Sequence, residues 1–239
     1  MLEAAVADTL AGERNPRLVR GSLLSAPVVV AIPAAALFEP LLVLLAVPSA
    51  VLLAGYVGSV FSTPLATPAV PPLTDWPELL RTGVVVKTIW IGLVAVPTLS
   101  VGALLTIEFA GNPLAPQSGF WLDVSVVGLV FVVGSYVTPA VVLARLSPDL
   151  GTDRPTFRTA RSVATSRAYV VASLQAVLIA VTAGGVVIML LVTVFGLVLV
   201  PTAVFLAVTV ITRRYAYAAV AAVDPTLYAT LEEPSLSWF

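Results

Sequence analysis

The sequence predicts an all-α fold: a polytopic membrane helical bundle of six transmembrane helices, arranged as three pseudo-repeated helical hairpins, each preceded by a short cytoplasmic interfacial helix. Apolar residues make up 59% of the 239 positions and charged residues only 10%. The mean hydropathy is +1.05, well above the values of soluble domains. The apolar residues also form long continuous runs, which are typical of spanning helices rather than of the alternating strands of a barrel.

The lengths of these runs predict the individual spans, because a hydrocarbon core of about 30 Å requires about 20 apolar residues per helix. Six runs approach this length: 22–38, 41–61, 84–107, 121–145, 166–190 and 192–212. The last two share one apolar stretch that is long enough for two spans, and we place their junction near Leu191. The predicted organisation is a cytoplasmic segment 1–21, a transmembrane domain 22–214 and a cytoplasmic tail 215–239.

The distribution of charge predicts the orientation. With six spans and the N-terminus inside, all 12 lysine and arginine residues fall on the cytoplasmic side. The opposite face carries Glu39, Glu108 and Asp123 and no basic residue, which is a positive-inside pattern. We therefore expect both termini in the cytoplasm and the chain in the cell membrane. A shared cation site is one interpretation of the three acidic residues, and ordinary solvated carboxylates are the favoured one.

Three cytoplasmic segments carry a helix-start pattern before an outgoing span: Asn15-Pro16, Asp75-Trp-Pro77 and Asp153-Arg-Pro155. An Asn or Asp side chain accepts hydrogen bonds from the free backbone N–H groups of a first turn, and proline there loses no helical bond. Asp75 and Glu78 add the spacing of a capping box. Each segment is expected to form a short interfacial helix.

Each return span contains a proline: Pro48, Pro139 or Pro201. A hydroxyl side chain neighbours each of them: Ser49, Thr138 and Thr202. Proline inside a spanning helix removes a hydrogen bond and bends the chain, and nearby polar groups compensate. We expect three matching kinks in three equivalent helices, related by an axis along the membrane normal. Chance similarity in a chain rich in Ala, Val and Pro is the alternative.

The composition argues against most enzyme chemistry. Cysteine and histidine are both absent, which excludes disulfides, thiolate nucleophiles and the commonest metal ligand. The sequence contains no P-loop, Ser/His/Asp arrangement or metal-binding spacing. We therefore predict no catalytic residues, no cofactor and no metal, and nothing in the net charge of −1 indicates a nucleic-acid partner.

The most informative polar feature is a set of arginines before span five: Arg154, Arg158, Arg161 and Arg167. The first three are spaced i, i+4 and i+7, so on a helix they form one stripe. A neighbouring face carries Phe157, Ala160 and Ala164. This pattern predicts an amphipathic helix along the cytoplasmic membrane surface. Anionic lipid phosphates and a soluble partner or phosphorylated ligand remain open as its binding partners.

Two functional hypotheses follow. The first is a non-enzymatic membrane module that organises membrane lipids or a membrane or cytoplasmic partner protein. The alternative is a small permease for hydrophobic molecules, to which the polar side chains of Gln175 and Thr182 in span five and prolines such as Pro33 and Pro97 would contribute. Lys87 is expected to extend toward cytoplasmic headgroups, and Gly184-Gly185 to permit close helix packing. An intramembrane enzyme is the least favoured reading.

The chain also resembles a known family. Gly55-Tyr56, the stretch Pro72-Leu-Thr-Asp-Trp-Pro-Glu-Leu-Leu-Arg-Thr-Gly83 and Tyr136-Val-Thr-Pro-Ala140 are similar to the archaeal membrane proteins of domain of unknown function 4013, over about residues 12–220. The resemblance implies a polytopic protein from a haloarchaeon without an assigned activity. An origin in a salt-loving archaeon also fits the dominance of arginine, since Lys87 is the one lysine.

Overall fold

The computed structural model describes residues 14–37, 46–65, 73–110, 117–147, 157–191 and 194–224, together with eight isolated positions: Leu2, Ala5, Val6, Thr9, Leu44, Pro71, Leu150 and Thr226. The regular secondary structure of these segments is helical, and none of the described residues forms a strand. The all-α prediction is confirmed at this level.

Eight α-helices follow one another along the described chain: α1 Arg14–Leu37, α2 Val47–Ser62, α3 Trp76–Trp90, α4 Val96–Ala110, α5 Gln117–Leu146, α6 Phe157–Thr165, α7 Arg167–Leu191 and α8 Val194–Val223. A π-helical turn, Ile91–Ala95, joins α3 to α4.

Four of the described helical stretches are long and apolar enough to cross a membrane: Trp76–Thr106, Val124–Leu146, Arg167–Leu191 and Leu199–Val223. Two shorter apolar stretches, Leu18–Val30 and Val47–Ser62, lie in α1 and α2. The chain is therefore a helical protein with four candidate membrane spans in its described part, which indicate that it associates with a membrane.

The start of α3 has the predicted capping geometry. Asp75 is the N-cap residue, and its carboxylate accepts a hydrogen bond of 3.2 Å from the backbone N–H of Glu78. Pro77 lies in the first turn, where its missing N–H removes no helical hydrogen bond. From this cap the helix continues to Trp90, because no proline between Pro77 and Trp90 interrupts its hydrogen bonds.

The π-helical turn has a local cause. Pro97 has no N–H to donate to the carbonyl of Leu93, four residues earlier. The backbone N–H of Val96 donates instead to the carbonyl of Ile91, five residues earlier, which is the hydrogen bond of a π-helix. A glycine of α5, Gly134, packs directly against this turn, since a methyl group added to Gly134 would overlap the Leu93 carbonyl oxygen.

Two glycines bring α2 and α3 into direct backbone contact. A methyl group on Gly55 would overlap the carbonyl oxygen of Leu79, and one on Gly83 would overlap the carbonyl oxygen of Val51. Small residues of this kind permit the close approach on which helix association in lipid depends.

A hydroxyl seam joins α1 to α8. The Ser25 hydroxyl donates a 2.7 Å hydrogen bond to the carbonyl of Pro201, and the hydroxyl groups of Ser22 and Thr202 lie 2.6 Å apart. Gly21 faces the ring of Phe205 so closely that a side chain there would overlap the ring. Pro201 lies inside α8, so hydroxyl groups do surround this proline as the sequence suggests.

The buried apolar residues form two clusters. One contains Leu143, Val163 and Tyr169 of α5, α6 and α7, and the other contains Tyr56 of α2 and Phe205 of α8. By contrast, three apolar stretches contain no buried residue: 96–106, 124–133 and 177–191. Because lipid chains are as apolar as these side chains, such surfaces are stable only inside a membrane.

Two predictions about the repeat are wrong in detail. α1 is continuous from Arg14 and α3 continues through the π turn into α4, so α6 is the one separate short helix before a candidate span in the described chain. Pro48 lies in the first turn of α2, where it interrupts no hydrogen bond, whereas Pro139 and Pro201 lie inside their helices. Three matching proline kinks are therefore not present, and the threefold repeat itself stays a prediction.

Candidate functional site

The short helix α6 presents a basic face to the outside and an apolar face to the bundle. Ala160 and Val163 are buried. The exposed side chains are those of Phe157, Arg158, Arg161, Ser162 and Thr165. At 100° per residue, the exposed set occupies one continuous arc of about 140° and the two buried residues lie outside it. The amphipathic pattern that the sequence predicts for this segment is therefore present in its described part.

Phe157 lies on the outer surface of α6. Its side chain is 81% exposed, whereas Ala160 and Val163 are buried and Ala164 packs against the core. Phe157 begins the exposed arc beside Arg161. An aromatic ring therefore stands next to guanidinium groups on the outer surface.

Two further exposed arginines lie on the helices that precede and follow α6 in the chain. Arg145 lies near the end of α5 and Arg167 begins α7, and both are exposed. These positions fall at the ends of two candidate spans that α6 connects, so they are on the same side of the membrane. Arg154 lies outside the described residues. We define the basic surface as Arg145, Phe157, Arg158, Arg161 and Arg167.

A tyrosine network holds α6 against the spans. The Tyr136 hydroxyl of α5 donates a 2.5 Å hydrogen bond to the carbonyl of Ala164, and the Tyr169 hydroxyl of α7 donates a 2.7 Å bond to the carbonyl of Tyr136. The rings of Tyr136 and Tyr169 meet edge to face at 5.2 Å, and Tyr215 of α8 lies 5.1 Å from Tyr169. The position of α6 is therefore fixed by three of the long helices.

The break between α6 and α7 is also explained by a side chain. Ser166 accepts a hydrogen bond of 3.2 Å from the backbone N–H of Tyr169, which is the geometry of an N-terminal cap. Its hydroxyl donates a 2.8 Å bond to the carbonyl of Val163 at the end of α6. One serine therefore ends one helix and starts the next, and it sets the angle at which the basic surface meets the span.

Two of the arginines that the sequence places on the cytoplasmic side are buried in the bundle. Arg213 and Arg214 are 0% and 2% exposed. The Arg213 guanidinium donates to the carbonyls of Thr63 and Leu65, both at 3.5 Å, and lies 5.6 Å from the ring centroid of Tyr217. Arg213 therefore binds the segment that directly follows α2. Apart from the Arg-Arg pair, the sequence pattern does not indicate this contact.

Arg214 changes the interpretation of Gln175. Its Nε–H donates a 2.5 Å hydrogen bond to Oε1 of Gln175, so Gln175 links α7 to α8. Thr182 is exposed, and its hydroxyl donates to the carbonyl of Leu178 in its own helix.

An apolar groove of about 380 Å³ has the π turn and α4 on one side and α5 on the other. It is lined by Leu93, Pro97, Leu129, Val130, Val133, Gly134 and Val137. Neither Gln175 nor Thr182 lines this groove.

The remaining positions that the sequence singles out do not form a binding site in the described part of the chain. The ammonium group of Lys87 lies 5.5 Å from the ring centroid of Trp90, in a cation–π arrangement. No described atom lies within 4 Å of a methyl group added at Gly184 or Gly185, so the close packing predicted there is not seen. Within the described chain, no three Asp or Glu residues group as metal ligands. Glu39 lies outside the described residues.

Comparison with known proteins adds no assignment. The chain matches no protein-family model, no curated protein and no solved structure. The geometry of the basic surface and of the bundle is therefore the basis on which a function can be proposed.

Proposed function

We propose that the chain is a non-enzymatic membrane module, in which a six-helix bundle organises lipids or partner proteins and carries the basic surface on the cytoplasmic side of the membrane. The exposed arginines of α6 and its neighbours are the observation that carries this proposal. The buried polar side chains, by contrast, serve the bundle itself: Arg213 binds α2, Arg214 binds Gln175, and Ser25 binds α8.

Six spans require that α1 and α2 also cross the membrane. At 1.5 Å per residue, the 24 residues of α1 are about 36 Å long and the 16 residues of α2 about 24 Å. The first length exceeds a hydrocarbon core of about 30 Å, and the second is somewhat shorter. The hydroxyl seam between α1 and α8 supports a membrane position for α1. Both termini are then cytoplasmic, and the resemblance to domain of unknown function 4013 stays a prediction.

The test is to extract the tagged chain from the membrane of the expressing cell in polymer-bounded discs, without detergent. We expect one lipid class, or one protein in a fixed ratio to the chain, to be enriched several-fold over discs that hold bulk membrane. Quantitative lipid and protein mass spectrometry measures the enrichment. Discs with the composition of bulk membrane and no stoichiometric protein would contradict the proposal.

A permease for hydrophobic small molecules is the second candidate, and the apolar groove favours it. The groove lies between two candidate spans and has an entirely apolar lining, which suits a hydrophobic molecule better than an ion. The same discs distinguish the two candidates. A hydrophobic metabolite enriched in discs of the wild-type chain, and lost when the groove-lining Val133, whose side chain is exposed, is replaced by tryptophan to fill the groove, would favour the permease.

A further inference from the structure

We infer that the basic surface binds the phosphate groups of anionic lipids, and that this contact lays α6 on the headgroup layer with the Phe157 ring among the upper acyl chains. The inference rests on the proposed function and narrows its partner to one class of lipid. Three features of the basic surface favour a lipid: its position at the ends of two candidate spans, its positive charge, and the exposed ring of Phe157 beside that charge.

The position of the surface is set by the covalent chain. Arg145 is the penultimate residue of the candidate span Val124–Leu146, and Arg167 is the first residue of Arg167–Leu191. Headgroups lie where spans end, and basic residues concentrate there. α6 connects these two ends and is held to Tyr136 through Ala164. Its exposed arc is therefore anchored beside the headgroup layer rather than on a tether that extends into the cytoplasm.

The charge of the surface fits an anionic layer. Between residues 145 and 167 the sequence has five arginines and two aspartates. Arg158 and Arg161 are exposed on one arc of α6 together with the hydroxyl groups of Ser162 and Thr165. Planar guanidinium groups bind phosphate oxygens in pairs of hydrogen bonds, and hydroxyl groups donate to the same oxygens. No described acidic side chain belongs to this arc.

Phe157 distinguishes a lipid surface from a soluble ligand. The exposure of an aromatic ring to water is unfavourable, and a ring that is 81% exposed lowers its free energy when it moves to the boundary between headgroups and acyl chains. Surface helices that bind membranes combine basic residues with such aromatic anchors. A free phosphate compound would use the arginines and leave the ring in water. The pairing of Phe157 with Arg161 on one arc therefore favours a lipid.

The experiment measures bound lipid by native mass spectrometry. The purified chain is exchanged into micelles that contain equal amounts of phosphatidylglycerol and phosphatidylcholine with identical acyl chains. We expect the wild-type chain to retain phosphatidylglycerol in several-fold excess. Replacing one arginine, Arg158→Gln or Arg161→Gln, should reduce that preference up to about fivefold, the equivalent of about 1 kcal/mol for one basic side chain near an anionic surface. The double variant should show little preference.

Two controls separate charge at this site from charge elsewhere. Arg81→Gln removes another exposed arginine, whose guanidinium lies 3.9 Å from the Glu78 carboxylate at the start of α3. Because that carboxylate offsets its charge, this change should leave the preference unchanged. Arg158→Lys with Arg161→Lys keeps the charge and should keep most of the preference. Phe157→Ser should weaken retention of both lipids, because the ring contacts acyl chains rather than headgroups.

Several outcomes would overturn the inference. One is equal retention of phosphatidylglycerol by the double Gln variant and the wild-type chain. Another is complete displacement of the lipid by millimolar inorganic phosphate, which would assign the surface to a soluble phosphate ligand. A partner protein enriched in the polymer discs, without a lipid preference in the micelles, would end this inference while leaving the proposed function intact.

Discussion

Replacing Gly83 with alanine is expected to separate α2 from α3 and to lower the melting temperature of the bundle by roughly 2–12 °C. The added methyl group would overlap the carbonyl oxygen of Val51, and backbone atoms cannot move aside as a flexible side chain can. Overpacking of this kind costs about 1–3 kcal/mol, and each kcal/mol corresponds to about 2–4 °C for a chain of this size. Gly55→Ala should act alike, because its methyl group meets Leu79.

The chain offers matched controls for this change. Gly102 in α4 and Gly128 in α5 have open space where a methyl group would be added, and alanine is the better helix former by about 1 kcal/mol. Gly102→Ala and Gly128→Ala should therefore melt at or above the wild-type temperature in the same detergent. If Gly83→Ala melted together with these controls, the close contact between α2 and α3 would be wrong.

Replacing Gln175 with leucine is expected to destabilise the bundle by about 1–3 kcal/mol, because it removes the acceptor of a hydrogen bond from a buried charged group. Arg214 is 2% exposed, and water cannot readily take the place of the lost amide. Thr182→Val is the control on the same helix. Its hydroxyl bonds within α7 and faces outward, so its loss should change the melting temperature by little.

A double-mutant cycle with Arg214→Leu isolates the contact itself. If Arg214 and Gln175 interact directly, the double variant should be more stable than the sum of the two single losses implies, with a coupling of about 0.5–3 kcal/mol. Strict additivity would show that Gln175 stabilises α7 in some other way. Equal losses for Gln175→Leu and Thr182→Val would remove the distinction between a polar clamp and an exposed hydroxyl.

Features that depend on local sequence were predictable. The cap of α3 requires only a side-chain acceptor three residues before a free backbone N–H. The spacing of Asp75 and Glu78 in the sequence is therefore enough to predict it. The amphipathic arc of α6 follows from the period of its arginines. The long apolar helices follow from composition, since a stretch such as 167–191 is stable in few places other than a membrane.

Features that depend on tertiary contacts were not predictable from the pattern. Arg213 and Arg214 look like surface arginines at the end of a span, and only the approach of α2 and α7 shows that they are buried. Pro48 looks like a kink until the helix is seen to begin at Val47. Phe157, Ala160 and Ala164 are neighbours on one face in the sequence pattern, but only the structure shows that the alanines pack against the bundle and that Phe157 is exposed.

In a six-span bundle with both termini cytoplasmic, Glu39 lies on the outside of the membrane. Determining the side on which Glu39 lies is therefore the decisive measurement of this topology. The chain contains no cysteine, so single cysteines can be introduced and labelled in intact cells with a membrane-impermeant maleimide. Asn112→Cys, between α4 and α5, serves as the external reference and Ser162→Cys, in α6, as the internal one. We expect Glu39→Cys to be labelled from outside, as Asn112→Cys is. Labelling of Glu39→Cys only after the cells are opened, as for Ser162→Cys, would show that α1 and α2 do not cross the membrane and that the six-span arrangement is wrong.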